Sequence, residues 1–85
     1  MAVNRNVRMK QVVRVIIPAY NEENAVAKVI NEIPLSHVDE VVVVNNNSND
    51  NTEINAKSAG ATVLREERQG YGVACLKGIE YVRNL

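Results

Sequence analysis

The residues of this chain that could bind or transform a ligand gather in three polar stretches. They are Pro18-Ala19-Tyr20-Asn21-Glu22, Asn45-Asn46-Asn47-Ser48-Asn49-Asp50-Asn51-Thr52 and Arg65-Glu66-Glu67-Arg68-Gln69-Gly70-Tyr71-Gly72. Each follows a short apolar run, over 12–17 (broken by Arg14 and bounded by Pro18), 41–44 and 61–64. β-branched runs of this length, rather than an alternation of apolar and polar residues, read as strands covered on both faces, as in a parallel sheet. In an open parallel sheet, ligands bind beyond the carboxyl ends of the strands. Three polar loops on that edge therefore predict a binding cleft. The remaining reactive side chains lie elsewhere. His37 precedes the second strand and reads as a surface residue, and Cys75 reads as an inert thiol on the apolar face of a later helix.

The elements that must position these loops are three helices. Asn21 stands where an N-cap belongs, with Glu22 and Glu23 in the first turn at the positive end of the helix. Val26, Val29, Ile30 and Ile33 recur at helical spacing, and Pro34 stops the helix. Ser48 or Asp50 caps a second helix through about residue 58, and Gly60 closes it. Gly70 and Gly72 bracket a tight turn before a third helix over about 73–84, with Cys75, Ile79 and Val82 on one face. The order β-α-β-α-β-α implies right-handed crossovers and a three-layer α/β/α architecture with a parallel sheet. Antiparallel pairing of 12–17 with 41–44 would overturn that.

Eighty-five residues make one small domain or a piece of a larger one. Apolar residues are 46% and charged residues 24%, a globular balance that excludes intrinsic disorder. There is no Phe or Trp and only 3 Tyr, so the core must be Val, Ile, Leu and Ala. Such a core is marginal alone, which points to a piece of a larger domain, with 1–11 as a polar basic tail and 12–85 as the folded part. Ten basic and ten acidic residues cancel, and the pI is about 6.6, so no nucleic-acid partner is expected. A single cysteine places the chain in a reducing, cytoplasmic compartment. The apolar runs are too short to cross a bilayer, and no signal peptide is expected. Residues 1–11 carry Arg5, Arg8 and Lys10, and no acidic residue precedes Glu22. That stretch reads either as a solvated tail or as a peripheral contact with an anionic membrane at its cytoplasmic face.

Three segments in order carry a family resemblance. Val15-Ile16-Ile17-Pro18-Ala19-Tyr20-Asn21-Glu22 resembles the opening strand and loop of family 2 glycosyltransferases of the GT-A fold. Val43-Val44-Asn45-Asn46-Asn47-Ser48-Asn49-Asp50-Asn51-Thr52 continues it, where the family usually reads Val-Asp-Asp-Gly-Ser-x-Asp-Gly-Thr. Gly70-Tyr71-Gly72-Val73-Ala74 with Gly78 is similar to the Gly-x-Gly-x-Ala-x-x-x-Gly of the dolichol-phosphate mannosyltransferase-like branch. The resemblance covers about 12–82. It implies a nucleotide-sugar donor and transfer of a sugar to an acceptor, a polyprenyl phosphate or a glycan. Carried over by position, Pro18, Tyr20 and Glu22 match donor-contacting positions of the first loop, and Val44 and Asn46 the pair that meets base and ribose. Tyr20 would offer a ring face to the base, Glu22 would accept from ribose hydroxyls, and residue 46 would read the base edge. Beside these roles stand plainer ones. Pro18 ends a strand, Glu22 favours a helix N-terminus, Asp50 is a cap rather than a ligand, and Gly70 and Gly72 serve the turn and helix packing rather than a phosphate.

Two departures from the family pattern follow. The acidic pair is Asn45-Asn46, and both glycines of that loop are Asn47 and Asn51, which tolerate left-handed backbone. An amide at 46 would give a base N–H less charge assistance than a carboxylate, so Asn46→Asp is expected to tighten uridine or guanosine diphosphate. The only aspartates are Asp39 and Asp50, in no metal-binding Asp-x-Asp motif. The Mg or Mn ion and the catalytic base of a complete enzyme are therefore expected from residues outside this chain, with no catalytic or metal-binding residue within it. The chain alone is expected to be inactive and to self-associate. A non-catalytic α/β interaction or nucleotide-binding module is the rival reading.

Overall fold

A computed structural model describes residues 11–85. The elements run β1 (Arg14–Ala19), α1 (Val26–Asn31), β2 (Glu40–Asn45), α2 (Thr52–Ser58), β3 (Thr62–Arg65) and α3 (Tyr71–Arg83). The sheet order is β1-β2-β3 and both pairings are parallel, with Ile17 opposite Val43 and Val44 opposite Leu64. The valine run of β2 is central, and Val42, Val43 and Val44 are fully buried. One face of the sheet, carrying Ile17, Ala19, Val41 and Val43, packs with Val26 and Ile30 of α1 and Ala56 of α2. The other face, with Ile16 and Val44, lies against Gly78 of α3. This is the three-layer α/β/α arrangement, and all three loops leave the same edge.

The local boundaries differ from expectation in several places. Pro18 lies inside β1, opposite Val44, rather than ending it. β1 is an outer strand of this sheet, where a ring nitrogen without a hydrogen costs no ladder bond on the open side. Asn21 is not an N-cap: its φ is 51°, and α1 starts only at Val26. The amides of Asn21, Glu22 and Glu23 turn instead to the second loop, as described below. Gly72 does not bracket a turn but sits in the first turn of α3, and Gly70 alone takes a positive φ, of 139°. Finally, α3 faces the sheet with Ala74 and Gly78, while Ile79 is 48% exposed and Cys75 half-buried. Small residues one turn apart let the helix sit close to β1, and that selects the face.

The expected apolar face of α1 holds in part: Val26 and Ile30 are its buried residues, but Val29 is 44% exposed and the helix ends at Asn31, before Ile33 and Pro34. Other expectations hold. Gly60, at φ 101°, closes α2: its amide donates to Lys57 O at 3.0 Å and that of Ala61 to Ala56 O at 3.1 Å, a Schellman pair. His37 is exposed. The basic stretch, apart from Gln11, lies outside the described residues. Among the described residues no helix is long and apolar enough to cross a membrane.

Candidate functional site

Two of the three loops are bound to each other by groups that local sequence rules would assign elsewhere. The amide of Asn21 donates to Ser48 Oγ at 2.9 Å, that of Glu22 to Thr52 Oγ1 at 2.8 Å, and that of Glu23 to Asp50 Oδ2 at 3.3 Å. The bonds run the other way too. Asn49 N donates to Asn21 Oδ1 at 2.9 Å and Asn51 N to Glu23 Oε1 at 3.2 Å. Asp50 also accepts the amide of Thr52, the first residue of α2, at 2.9 Å, and bonds its hydroxyl. The N-cap of α2 is Asn51, without a side-chain cap bond, so Asp50 is not the expected cap: it bonds Thr52 from one residue before the cap and at the same time holds the first loop. Thr52 is wholly buried between them.

The third loop is fastened through Asn46. Its carboxamide nitrogen donates to Glu66 O at 2.9 Å and Arg68 O at 2.6 Å. Its carboxamide oxygen accepts from Gly70 N at 2.9 Å. Its backbone carbonyl takes Gln69 Nε2 at 2.7 Å, and its amide donates to Ala19 O at 2.8 Å. Two carbonyl partners on one side-chain atom require that atom to be the nitrogen, so the amide orientation is fixed by its surroundings. Asn45 is tied down likewise, with Nδ2 to Glu53 Oε1 at 3.1 Å and Oδ1 accepting Ser48 N at 3.1 Å. Asn47 takes the left-handed conformation expected at a glycine position, φ 62°. Asn51 does not: it leads into α2 at φ −88°.

Between the first and third loops lies a cleft of about 370 Å³. Pro18, Tyr20, Glu22 and Asn46 line it, four of the five expected positions. The fifth, Val44, does not reach it: its side chain is buried under α3, 3.3 Å from where a Cβ on Gly78 would lie. Val26 and Val29 of α1 add apolar wall, and Gln69, Gly70 and Tyr71 close the far side. Of these, Gly70 reads in the sequence only as a turn residue, and Gln69 and Tyr71 have no role there; the signal for both is their place on either side of Gly70. Tyr20 and Tyr71 are 48% and 76% exposed. The Glu22 carboxylate makes no hydrogen bond with any described residue, whereas the Glu23 carboxylate does. The cleft therefore offers two aromatic faces, an apolar wall and one unpaired carboxylate. That set suits a planar base joined to a hydroxyl-bearing sugar.

Charges beside the cleft serve the loops. Glu66 is buried and pairs with Arg68, Oε2 to Nε at 3.0 Å; that guanidinium and the Arg68 amide hold its carboxyl down to about 2. At the opposite end of the sheet, Glu40 accepts from Thr62, Tyr81 and Arg14 at 2.7, 2.8 and 2.9 Å, tying all three strands to α3. Among the described residues no three His, Cys, Asp or Glu side chains are placed to hold a metal ion. The described residues by themselves do not fit the divalent ion that the resemblance implies.

Residues 14–84 match the Glycosyl transferase family 2 pattern. An uncharacterized glycosyltransferase of Mycobacterium tuberculosis is 40% identical over 67 residues, which are 79% of this chain and 30% of that protein. Protein RfbJ of Shigella flexneri is 45% identical over 64 residues, 71% of this chain and 47% of that protein. Among solved structures, glucosyl-3-phosphoglycerate synthase from Mycobacterium tuberculosis, crystallised with Mn2+, UDP-glucose and phosphoglyceric acid, superposes with a TM-score of 0.74 at 34% identity. It covers 82% of this chain and 29% of that one. The chain spans less than half the length of each of these relatives. With the family pattern matched over almost its whole length and the sheet, loops and cleft arranged on a GT-A-type α/β frame, this chain belongs to glycosyl transferase family 2.

Proposed function

We propose that this chain binds the nucleotide-sugar donor of a glycosyltransferase. The observation that carries the reading is the cleft at the carboxyl edge of the sheet, where Tyr20, Tyr71 and the unpaired Glu22 carboxylate stand together. Pro18, Val26 and Val29 would cover a base, either tyrosine would give it a ring face, and Glu22 would accept from ribose hydroxyls. The loops are already fastened without a ligand, which lowers the ordering cost of binding. The solved relative that binds UDP-glucose supports the same donor class. A Mg or Mn ion and the base that deprotonates the acceptor would come from outside the described residues, and transfer by residues 1–85 alone is not expected.

The finer placement, in the dolichol-phosphate mannosyltransferase-like branch with a polyprenyl phosphate acceptor, rests on Gly70, Gly72, Ala74 and Gly78. Gly78 has the clearest physical reason, the close approach of α3 to Ile16. A basic membrane contact at 1–11 would suit that acceptor. Self-association belongs to the same reading: β1 and β3 each leave one edge unpaired among the described residues, and Leu76 and Ile79 are exposed on α3. Light scattering of the 85-residue chain should then show a dimer or larger.

Calorimetry with uridine and guanosine diphosphates tests the donor site. Binding that Glu22→Ala and Tyr71→Ala each weaken supports the proposal. Failure of every nucleoside diphosphate to bind would favour the rival, a non-catalytic α/β interaction module.

A further inference from the structure

The position expected to read the nucleotide base is the one least free to do so. Asn46 is 5% exposed. Both hydrogens of its carboxamide are donated to backbone carbonyls of the third loop, and its oxygen already accepts Gly70 N. One lone pair on a covered oxygen is all that remains. Gln69 is different. It is exposed, it lines the same cleft, and its only side-chain hydrogen bond among the described residues runs from Nε2 to Asn46 O. That bond fixes which end of the carboxamide is nitrogen, because a carbonyl needs a donor. The Gln69 oxygen is therefore left without a partner, held at a known end by the latch beneath it.

We propose that Gln69 reads the base edge, its carboxamide oxygen accepting from a ring N–H such as that of uracil or guanine, and that Asn46 is a positioning residue that latches the 66–70 loop. The inference rests on the donor-site reading above. It also reverses the expectation for Asn46→Asp. A carboxylate at 46 would place oxygen where nitrogen now donates to two carbonyls, at 2.6 and 2.9 Å. It has no hydrogen to donate there, and the like dipoles repel. The loop carrying Gln69, Gly70 and Tyr71 would be released, and the nucleotide would bind more weakly.

The test uses the full chain, uridine diphosphate and its N3-methyl analogue, with amide hydrogen exchange of the free protein as a second readout. In the wild type, N3-methylation is expected to weaken binding about tenfold, the loss of one hydrogen bond. Gln69→Ala should bind both nucleotides equally while the fold stays intact, since the side chain is on the surface. Asn46→Asp should speed exchange of the Arg68–Gln69–Gly70 amides with no nucleotide present. A Gln69→Ala protein that still distinguishes the two nucleotides would overturn the assignment of Gln69. Unchanged loop exchange in Asn46→Asp, or tighter nucleotide binding by it, would overturn the latch. Should the wild type bind neither nucleotide, the donor-site reading fails and Gln69's role with it, while the exchange data still decide the latch.

Discussion

Gly78 and Ile16 approach so closely that no side chain fits between α3 and β1: a Cβ on Gly78 would lie 2.4 Å from Ile16 Cγ2. The neighbouring Val44 methyl, at 3.3 Å, closes the other side. Helix α3 carries Gly70 and Tyr71 into the cleft at its N-terminal end, so its seating on the sheet sets one wall of the site.

Gly78→Ala should therefore destabilise the chain although alanine is the better helix former. The propensity gain is about 1 kcal/mol and the overpacking loss about 1–3 kcal/mol, leaving a net loss of about 1 kcal/mol. Urea denaturation would register it as a lower midpoint. An unchanged midpoint would mean that α3 shifts away from Ile16 without cost.

The strands were legible because a covered parallel sheet demands short β-branched runs, and 41–44 has no other reading. The cleft was legible for the same reason, since its edge follows from strand direction. What could not be read was the start of α1. Asn21, Glu22 and Glu23 look like a cap and first turn, yet their amides go to Ser48, Thr52 and Asp50. Those partners lie 27 to 30 residues away, and no local pattern reports a bond over that distance. The role of Asn46 was hidden likewise, because its partners come from the loop after β3. In both cases tertiary hydrogen bonds overrode a correct local rule.

Thr52 is the centre of the first of these ties, and Thr52→Val isolates it. The change keeps the shape but removes the acceptor of the Glu22 amide and the hydroxyl bonded to Asp50. Leaving such a group without a partner costs about 1–3 kcal/mol. Thr52→Ser should recover most of the loss. Nucleotide affinity should fall in the Val variant and return in the Ser variant, because the first loop places Glu22 in the cleft. Equal stability of all three proteins would show that water replaces the hydroxyl.

The asparagines of the second loop separate by backbone conformation. Asn47 sits at φ 62°, which alanine adopts poorly, so Asn47→Ala should cost about 1–2 kcal/mol while Asn47→Gly is tolerated. Asn51 sits at φ −88° with no side-chain cap bond, so Asn51→Ala should leave the thermal midpoint unmoved. Equal losses from both alanine variants would contradict the two conformations.

Glu53 makes the stability of the second loop depend on pH. It accepts from Arg65 Nε at 2.7 Å, lies 3.2 Å from Lys57 Nζ, and takes Asn45 Nδ2 at 3.1 Å. Chiefly because of the Arg65 guanidinium, then Lys57 and Asn45, its carboxyl titrates at about 2 in place of the ordinary 4.5. A group whose pKa is lowered by folding contributes stability above its unfolded value and loses it as pH falls through its folded one. The contribution should be complete above 4.5 and decline steadily toward 2. Glu40, through Thr62 and Tyr81, and Glu66, through Arg68, shift in the same direction, so the wild-type slope is a sum over several groups. The informative quantity is the difference between wild type and Glu53→Gln in urea midpoints across the acid range. That gap should be widest near neutral pH and close as the solution is acidified toward the folded pKa. A gap independent of pH would mean that the glutamate contributes through packing and neutral hydrogen bonds, with its charge playing no part.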